Sequence, residues 1–87
     1  MAVRPDGAIG RNDLVCGLNQ RGIGTRLVFA GNLIRQPAYA DTNYRVIGEV
    51  HNADFVMENA LWLGVLPGID ETRVDYVVDQ VRAPLQA

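Results

Sequence analysis

Apolar residues form two short runs along the chain, and each run predicts a β-strand. In the first, Thr25–Ala30, three large apolar residues stand in a row, which is typical of a strand covered on both faces. In the second, Leu61–Leu66, the odd positions place apolar residues on one face, and Trp62 lies on the other. A third extended segment at positions 2–4 is stopped almost at once by Pro5, so we expect this strand to be frayed or missing.

The first of three helical segments precedes the first long strand. Its predicted start is Gly10 or Asn12, and it runs to about Arg21, where Gly22 supplies a left-handed C-terminal stop. Cys16 lies within this helix and is expected to be a small packing residue. As the single cysteine of the chain, it excludes an intramolecular disulfide and any site built from several cysteines.

The other two helical segments flank the second strand. One is predicted to run from Asn52, as its N-cap, to about Asn59. The other begins at Asp70, and its apolar residues follow helical spacing: Val74, Val77, Val78, Val81 and Leu85. The order strand, helix, strand, long loop, helix, strand, helix predicts an α+β fold. We expect a small mixed or antiparallel sheet with the helices on one of its faces.

The long connection at positions 31–50 has no clear periodicity. Compact domains rarely carry about 20 such residues unless the segment has a function. Its first part offers a guanidinium and amides that can bind a carboxylate, a phosphate or a sugar hydroxyl: Asn32, Arg35 and Gln36. Tyr39, Tyr44 and Arg45 add amphipathic character. Two interpretations stay open, a surface loop that packs its tyrosines down and a contact surface for a neighbouring domain or ligand.

Composition limits the class of protein. The 48% hydrophobic content is that of one small globular domain. A net charge of −2 argues against a nucleic-acid partner. No apolar run approaches the roughly 20 residues that span a bilayer, and the N-terminus lacks the order of a signal peptide. We therefore expect no membrane association and a cytoplasmic location.

The sequence offers little catalytic chemistry of its own. It contains no serine, one histidine and one cysteine, so no nucleophile–base pair is readable. His51 lies outside any metal-ligand spacing. All eight basic residues are arginine, so the chain has no lysine that could serve as a nucleophile or form a Schiff base. We predict no catalytic, cofactor-binding or metal-binding residue within these 87 residues.

Three stretches carry a family resemblance: GTRLVFAGNLIRQPAY at 24–39, NYRVIGE at 43–49 and LWLGVLPGI at 61–69. They resemble the C-terminal end of the nucleotide-sugar 3-dehydrases. These bacterial proteins depend on pyridoxamine or pyridoxal phosphate and belong to the DegT/DnrJ/EryC1/StrS sugar-aminotransferase superfamily. They are associated with deoxysugar and lipopolysaccharide O-antigen biosynthesis. The resemblance extends from about Val3 to Val81.

The resemblance implies a domain organisation and a function. Residues 1–87 would be a single domain, the terminal small domain of a longer enzyme of pyridoxal-phosphate fold type I, without its cofactor-binding large domain. Met1 is then expected to mark an internal or misassigned start site, or a truncation. The parent enzyme would use pyridoxamine or pyridoxal phosphate to remove the 3-hydroxyl from a cytidine-diphosphate 4-keto-6-deoxyhexose. This chain alone would hold no cofactor and be inactive.

The resemblance also implies substrate-binding residues. Arg26, Asn32, Arg35 and Gln36 match the GTR and GNL-x-RQP positions of the family, and Ile34 stands where relatives often have threonine. For Arg35, a role in organising the loop is an equal alternative. A ligand-binding Arg35 should have no tight carboxylate partner, whereas a bidentate pair would make it a structural clamp. For Arg26, a salt bridge is the favoured interpretation.

The missing large domain has a consequence for association. Its removal would expose apolar surface near Trp62, Phe29 and Tyr39, so a symmetric homodimer is expected. A free-standing binding or oligomerisation module without catalytic activity is the alternative function.

Overall fold

The computed structural model describes residues 1–86 and contains three α-helices and two β-strands. In chain order they are α1 (Arg11–Gln20), β1 (Thr25–Leu27), α2 (His51–Asn59), β2 (Leu61–Leu63) and α3 (Glu71–Gln86). Two single-turn 3-10 helices, Leu33–Arg35 and Pro37–Tyr39, lie in the connection between β1 and α2. The predicted α+β class is confirmed. None of the described helices combines the length and hydrophobicity that crossing a bilayer requires.

The sheet is antiparallel and small. β1 pairs with β2 so that Thr25 faces Leu63, Arg26 faces Trp62 and Leu27 faces Leu61. On the other side of β2, the N-terminal segment adds an isolated antiparallel bridge between Ala2 and Ala60. This bridge is what remains of the strand expected at positions 2–4, which is therefore frayed as predicted.

Helices α1 and α3 cover one face of this sheet. Leu14 and Leu18 of α1 and Leu61 of β2 are fully buried, and Val77 and Val81 of α3 pack against them. Because side chains alternate along a strand, Trp62 points to the face opposite Leu61. Trp62 on that face is 42% exposed. The sheet therefore has one covered face and one open face.

Local signals set the ends of α1 and α3. After α1, Gly22 has φ +78°, and the amides of Gly22 and Ile23 donate to the carbonyls of Asn19 and Leu18 at 3.1 and 3.0 Å. This pattern satisfies carbonyls that a helix end leaves unpaired. At the start of α3, Asp70 Oδ1 accepts from the Arg73 amide at 2.9 Å. Both predicted ends are confirmed.

The start of α2 differs from the prediction. Val50 occupies the N-cap position and its side chain makes no capping hydrogen bond. The expected cap, Asn52, lies inside the first turn, since the helix begins at His51. The N-terminal turn of α2 is instead connected to the rest of the molecule through Asp54.

Both strands are shorter and more exposed than predicted. β1 ends at Leu27, and Phe29, with φ +39°, turns the chain away. Leu27 and Phe29 are 50% and 84% exposed, so the expectation of a strand covered on both faces is wrong. Val65, beyond the end of β2, is 95% exposed. Leu27 pairs with Leu61 and so lies on the face that α1 and α3 cover, but this cover does not extend as far as Leu27 or as Val65 beyond the end of β2.

Cys16 is exposed, which corrects its expected packing role. Successive helical residues are about 100° apart, so Cys16 lies opposite the buried pair Leu14 and Leu18. In α3 likewise, Val74 and Val78 are 47% and 36% exposed while their neighbours contact the core. The apolar side that the sequence predicts for each helix is thus wider than the part of the helix that packs against the core.

The described chain is extended for its length. Its radius of gyration is 15.8 Å, whereas a compact domain of this size has about 12 Å. Its accessible surface is 6719 Å², against about 5,000 Å² for a compact monomer of the same mass. The described chain therefore exposes roughly 1,700 Å² more surface than a compact monomer of its mass.

Candidate functional site

Three of the four predicted site residues come together between β1 and α2. Asn32, Arg35 and Gln36 lie in the segment 31–39, which contacts the first turns of α2. Arg26 lies apart on β1, opposite Trp62. The structure therefore divides the predicted set into a loop cluster and an isolated strand residue.

Asp54 of α2 organises the loop cluster. Arg35 donates to both of its carboxylate oxygens, from Nε to Oδ1 at 3.1 Å and from Nη2 to Oδ2 at 3.2 Å. Asn32 Nδ2 donates to Oδ1 at 2.9 Å. These hydrogen bonds, first from Arg35 and then from Asn32, hold the pKa of the Asp54 carboxyl below its ordinary value, and the pKa of Arg35 is raised in return.

This bidentate pair matches the second of the two alternatives for Arg35, because the two parallel hydrogen bonds to Asp54 form a structural clamp. Nothing in the sequence identifies Asp54 as the partner. An acidic residue in the first turn of a helix is already accounted for by the helix dipole.

Asn32 and Gln36 have structural contacts as well. Asn32 is 4% exposed, and its Oδ1 accepts from the Ile34 amide at 3.3 Å, which caps the first 3-10 helix. Gln36 Nε2 donates to the Ala30 carbonyl at 2.8 Å and closes the segment on itself. We call Asn32, Arg35, Gln36 and Asp54 the loop clamp.

Gly31 lets the loop clamp approach α2. It has φ +69°, and a Cβ atom on it would lie 2.5 Å from Met57 Cβ and 2.7 Å from Met57 Cα. No side chain fits at that separation. Glycine is therefore required here both by the backbone conformation and by the close contact with the helix.

Arg26 lies on the open face of the sheet. It is exposed and forms no ion pair or side-chain hydrogen bond within residues 1–86, so its expected salt bridge is not found there. Its cross-strand neighbour Trp62 contacts Phe29 edge to face, with ring centroids 5.0 Å apart and ring planes at 78°. We call Phe29 and Trp62 the aromatic pair.

A cavity of about 330 Å³ lies next to the loop clamp. Its lining residues are Leu33, Ile34, Tyr39, Thr42, Tyr44 and Arg45, and we call it the tyrosine cavity. Tyr39 and Tyr44 are 44% and 50% exposed, so they are not packed down as in the first interpretation of this loop. The tyrosines and Arg45 are evident in the sequence, but the cavity is not, since its walls come from both halves of an irregular segment.

The described residues provide no cofactor attachment. The chain has no lysine for a Schiff base. Residues 1–86 contain no group of three or more His, Cys, Asp or Glu side chains that could hold a metal ion. His51 Nε2 lies 2.8 Å from Glu49 Oε2, and both side chains are about four-fifths exposed.

Comparison with known proteins identifies relatives along nearly the whole chain. The profile of the DegT/DnrJ/EryC1/StrS aminotransferase family matches residues 1–82. The chain is 44% identical over 80 residues to the lipopolysaccharide biosynthesis protein RfbH of Salmonella typhimurium, an alignment that covers 92% of this chain. It is 40% identical over 81 residues to the dTDP-4-dehydro-2,6-dideoxy-D-glucose 3-dehydratase of Saccharopolyspora spinosa, covering 93% of this chain. In both cases it spans 18% of the relative's length.

Proposed function

Because this chain belongs to the DegT/DnrJ/EryC1/StrS aminotransferase family, we propose that it is the C-terminal small domain of a nucleotide-sugar 3-dehydrase. The observation that carries the proposal is the alignment of more than nine-tenths of the chain with 18% of a named 3-dehydratase. The similarity to a lipopolysaccharide biosynthesis protein supports a role in deoxysugar synthesis for cell-surface polysaccharide.

In this proposal the parent enzyme removes the 3-hydroxyl from a nucleotide-linked 4-keto hexose. Pyridoxal or pyridoxamine phosphate would supply the electron sink in the large domain, since this chain has no lysine to hold it. The reaction is placed in the cytoplasm because its substrate is a nucleotide sugar. The isolated chain would bind and position substrate groups without turnover.

The predicted site residues take two roles in this proposal. Asn32, Arg35 and Gln36 act as positioning residues, because their polar atoms are used within the loop clamp. Arg26 is available for direct contact with substrate or with the large domain, since its exposed side chain forms no ion pair among the described residues.

The open face of the sheet supports the proposal that this chain is part of a larger protein. The aromatic pair lies there at 84% and 42% exposure, where two large aromatic rings would favour burial. A stable protein interface takes about 800 Å² from each partner. The surface excess of roughly 1,700 Å² in this chain is enough for such an interface with a large domain.

A chimeric enzyme tests the proposal. In the Saccharopolyspora spinosa 3-dehydratase, the region matched by this chain is replaced with residues 1–82, and consumption of dTDP-4-dehydro-2,6-dideoxy-D-glucose is followed by mass spectrometry. We expect the chimera to be active, the host truncated at the same point to be inactive, and the isolated 87-residue chain to be inactive. A folded, cofactor-loaded chimera without turnover would contradict the proposal, as would turnover by the isolated chain.

We propose also that the isolated chain forms a homodimer through the open face. A second copy would cover the aromatic pair by two-fold symmetry, the commonest closure for such a surface. Light scattering at micromolar concentration should give a dimer for the wild type and a monomer for Trp62→Arg. Ile47→Arg is the matched control, because Ile47 is 78% exposed but lies in the loop away from β2. A monomeric wild type would refute the dimer.

A further inference from the structure

We propose that Arg11 of α1 is a positioning residue for the segment 31–39, and that it acts on this segment through the C-terminal end of α2. The consequence for substrate rests on the proposed function, in which this segment positions substrate groups. The coupling between α1 and the segment rests on contacts within the described chain alone. Nothing in the sequence distinguishes Arg11 from the other arginines.

Arg11 is the first residue of α1, and its guanidinium reaches across to the far end of α2. Its Nη1 lies 2.8 Å from the Met57 carbonyl oxygen and 3.2 Å from the Ala60 carbonyl oxygen. Its Nε donates to Asn12 Oδ1 at 2.9 Å, which helps to hold the guanidinium in this direction. Both hydrogen bonds to the carbonyls are partly buried, and they join residues 46 and 49 positions apart.

The C-terminal end of α2 depends on this distant residue because it has no cap of its own. Ala60, which follows the helix, is extended with φ −94° and ψ 150°, so no left-handed residue closes the last turn. The last turn of α2 also lacks a basic side chain. The final carbonyls of a helix have no intrahelical partners and carry partial negative charge. Arg11 supplies both the donor and the positive charge from another helix.

Packing does little to fix the position of α2. None of its nine residues is buried, whereas α1 has two fully buried leucines. Hydrophobic stabilisation grows with the apolar area removed from water and has no preferred direction, so hydrogen bonds locate a helix without buried residues. The hydrogen bonds of α2 to the loop clamp start from Asp54 near its N-terminal end. At its C-terminal end, Arg11 is joined by the Val3 amide, which donates to the Asn59 carbonyl at 2.9 Å.

Met57 connects Arg11 to the segment 31–39. Its carbonyl accepts from Arg11, while its Cβ and Cα lie so close to Gly31 that an added Cβ atom there would be 2.5 and 2.7 Å from them. Its sulfur is 3.9 Å from Gln36 Nε2. Closely packed contacts transmit displacements because they are hardly compressible. A shift of this end of α2 therefore moves the surface against which the segment packs.

The same shift would alter the loop clamp. Asp54 precedes Met57 by three residues, about one helical turn, and both contact the segment 31–39. The hydrogen bonds from Asn32 and Arg35 to Asp54 are 2.9–3.2 Å long and weaken steeply when their geometry is lost. By fixing one end of α2, Arg11 keeps this carboxylate where both donors reach it.

Hydrogen exchange of the 15N-labelled 87-residue chain tests the coupling. Two amides report on the segment, those of Ile34 and Arg35, which donate to the side chain and the carbonyl of Asn32. Arg11→Gln should speed their exchange about tenfold or more, the change expected when one charge-assisted contact is lost. The Val74 amide in α3, which donates to a carbonyl outside the segment, should exchange at the wild-type rate.

Arg21→Gln is the matched control, because Arg21 is exposed and follows the other end of α1. It should leave the exchange at Ile34 unchanged. Arg11→Lys keeps a cation and a donor but loses the planar fork, so it should show the local effect at smaller amplitude. Wild-type exchange at Ile34 in Arg11→Gln, or in Arg11→Lys where only that variant folds, overturns the proposal. Equal acceleration throughout the chain also overturns it, since a purely stabilising residue would act in that way.

The chimeric 3-dehydratase tests the consequence for substrate. Arg11→Gln in the chimera should raise KM for dTDP-4-dehydro-2,6-dideoxy-D-glucose several-fold and change kcat less, with partial rescue by Arg11→Lys. An unchanged KM would overturn the substrate part of the proposal. An active chimera together with wild-type exchange at Ile34 would refute this inference alone. An inactive chimera together with faster exchange confined to the segment 31–39 would refute the proposed parent function while the coupling stands.

Discussion

Replacing Gly31 by alanine should destabilise this domain more than any other glycine substitution at a left-handed position of the described chain. Two costs add at this residue. Its φ of +69° costs a residue with a Cβ atom about 1–2 kcal/mol. The new methyl group would lie 2.5 Å from Met57 Cβ and 2.7 Å from Met57 Cα, and such overpacking costs about 1–3 kcal/mol. The expected loss of unfolding free energy is therefore about 2–5 kcal/mol.

Gly22→Ala is the matched control. Gly22 has φ +78°, but a Cβ atom on it would meet no heavy atom within 4 Å. This variant should lose only the free energy that the left-handed backbone conformation costs a residue with a Cβ atom, about 1–2 kcal/mol. The difference between the two variants, about 1–3 kcal/mol, measures the contact between segment 31–39 and α2 without the common conformational cost.

Urea denaturation followed by far-ultraviolet circular dichroism measures both losses. A domain of this length has a total stability of roughly 4–13 kcal/mol, so Gly22→Ala should keep a cooperative transition. Gly31→Ala should unfold at lower urea, or release the loop with faster hydrogen exchange at the Ile34 amide, which Asn32 protects. Equal losses in the two variants with unchanged exchange would refute the reasoning, since Gly31 would then not be packed on Met57.

Three further predictions follow from single contacts. Asp70→Ala should cost about 1 kcal/mol, because it removes the hydrogen bond that caps α3, while Asp79→Ala on the exposed side of that helix should cost less in the same urea assay. The hydrogen bonds from Arg35 and, after it, from Asn32 lower the pKa of Asp54. This contact should therefore stabilise the fold above the unfolded-state pKa of about 3.9. That stability should fade as the pH falls through the lower folded-state pKa, and Asp54→Asn should show a smaller loss over the same acid range; identical pH profiles would contradict the assignment. Leu14→Ala should cost about 2–5 kcal/mol by leaving a cavity in the core, whereas Cys16→Ala should stay within about 0.5 kcal/mol; a large loss at the cysteine would restore its packing role.

The sequence by itself determined the features that depend on near neighbours. The C-terminal stop of α1 at Gly22 and the cap of α3 at Asp70 form from hydrogen bonds within a few residues, so the side chain and its partner are read in one window. The α+β class followed from the order of the periodic segments. The family followed from long motifs that match nearly the whole chain.

Only the tertiary structure decided which apolar surface is covered. Periodicity shows that a segment has an apolar side but not how much of that side another element reaches. Phe29 and Val65 therefore look like core in the sequence and are 84% and 95% exposed in the fold, because both lie beyond the ends of the two short paired strands, where α1 and α3 do not cover them.

The tertiary structure also decided the partners of the loop. Asp54 is 19 residues from Arg35 and 22 from Asn32, and no local rule pairs residues across such a distance. Their pairing depends on where α2 packs against segment 31–39, a position that Gly31 permits by its missing Cβ atom. The same packing engages Arg35 and leaves Arg45 unpaired among the described residues. The sequence does not reveal this difference, because it shows only two arginines in one polar loop. The physical reason is that side-chain pairing is set by proximity in space, which the chain acquires only when its elements pack.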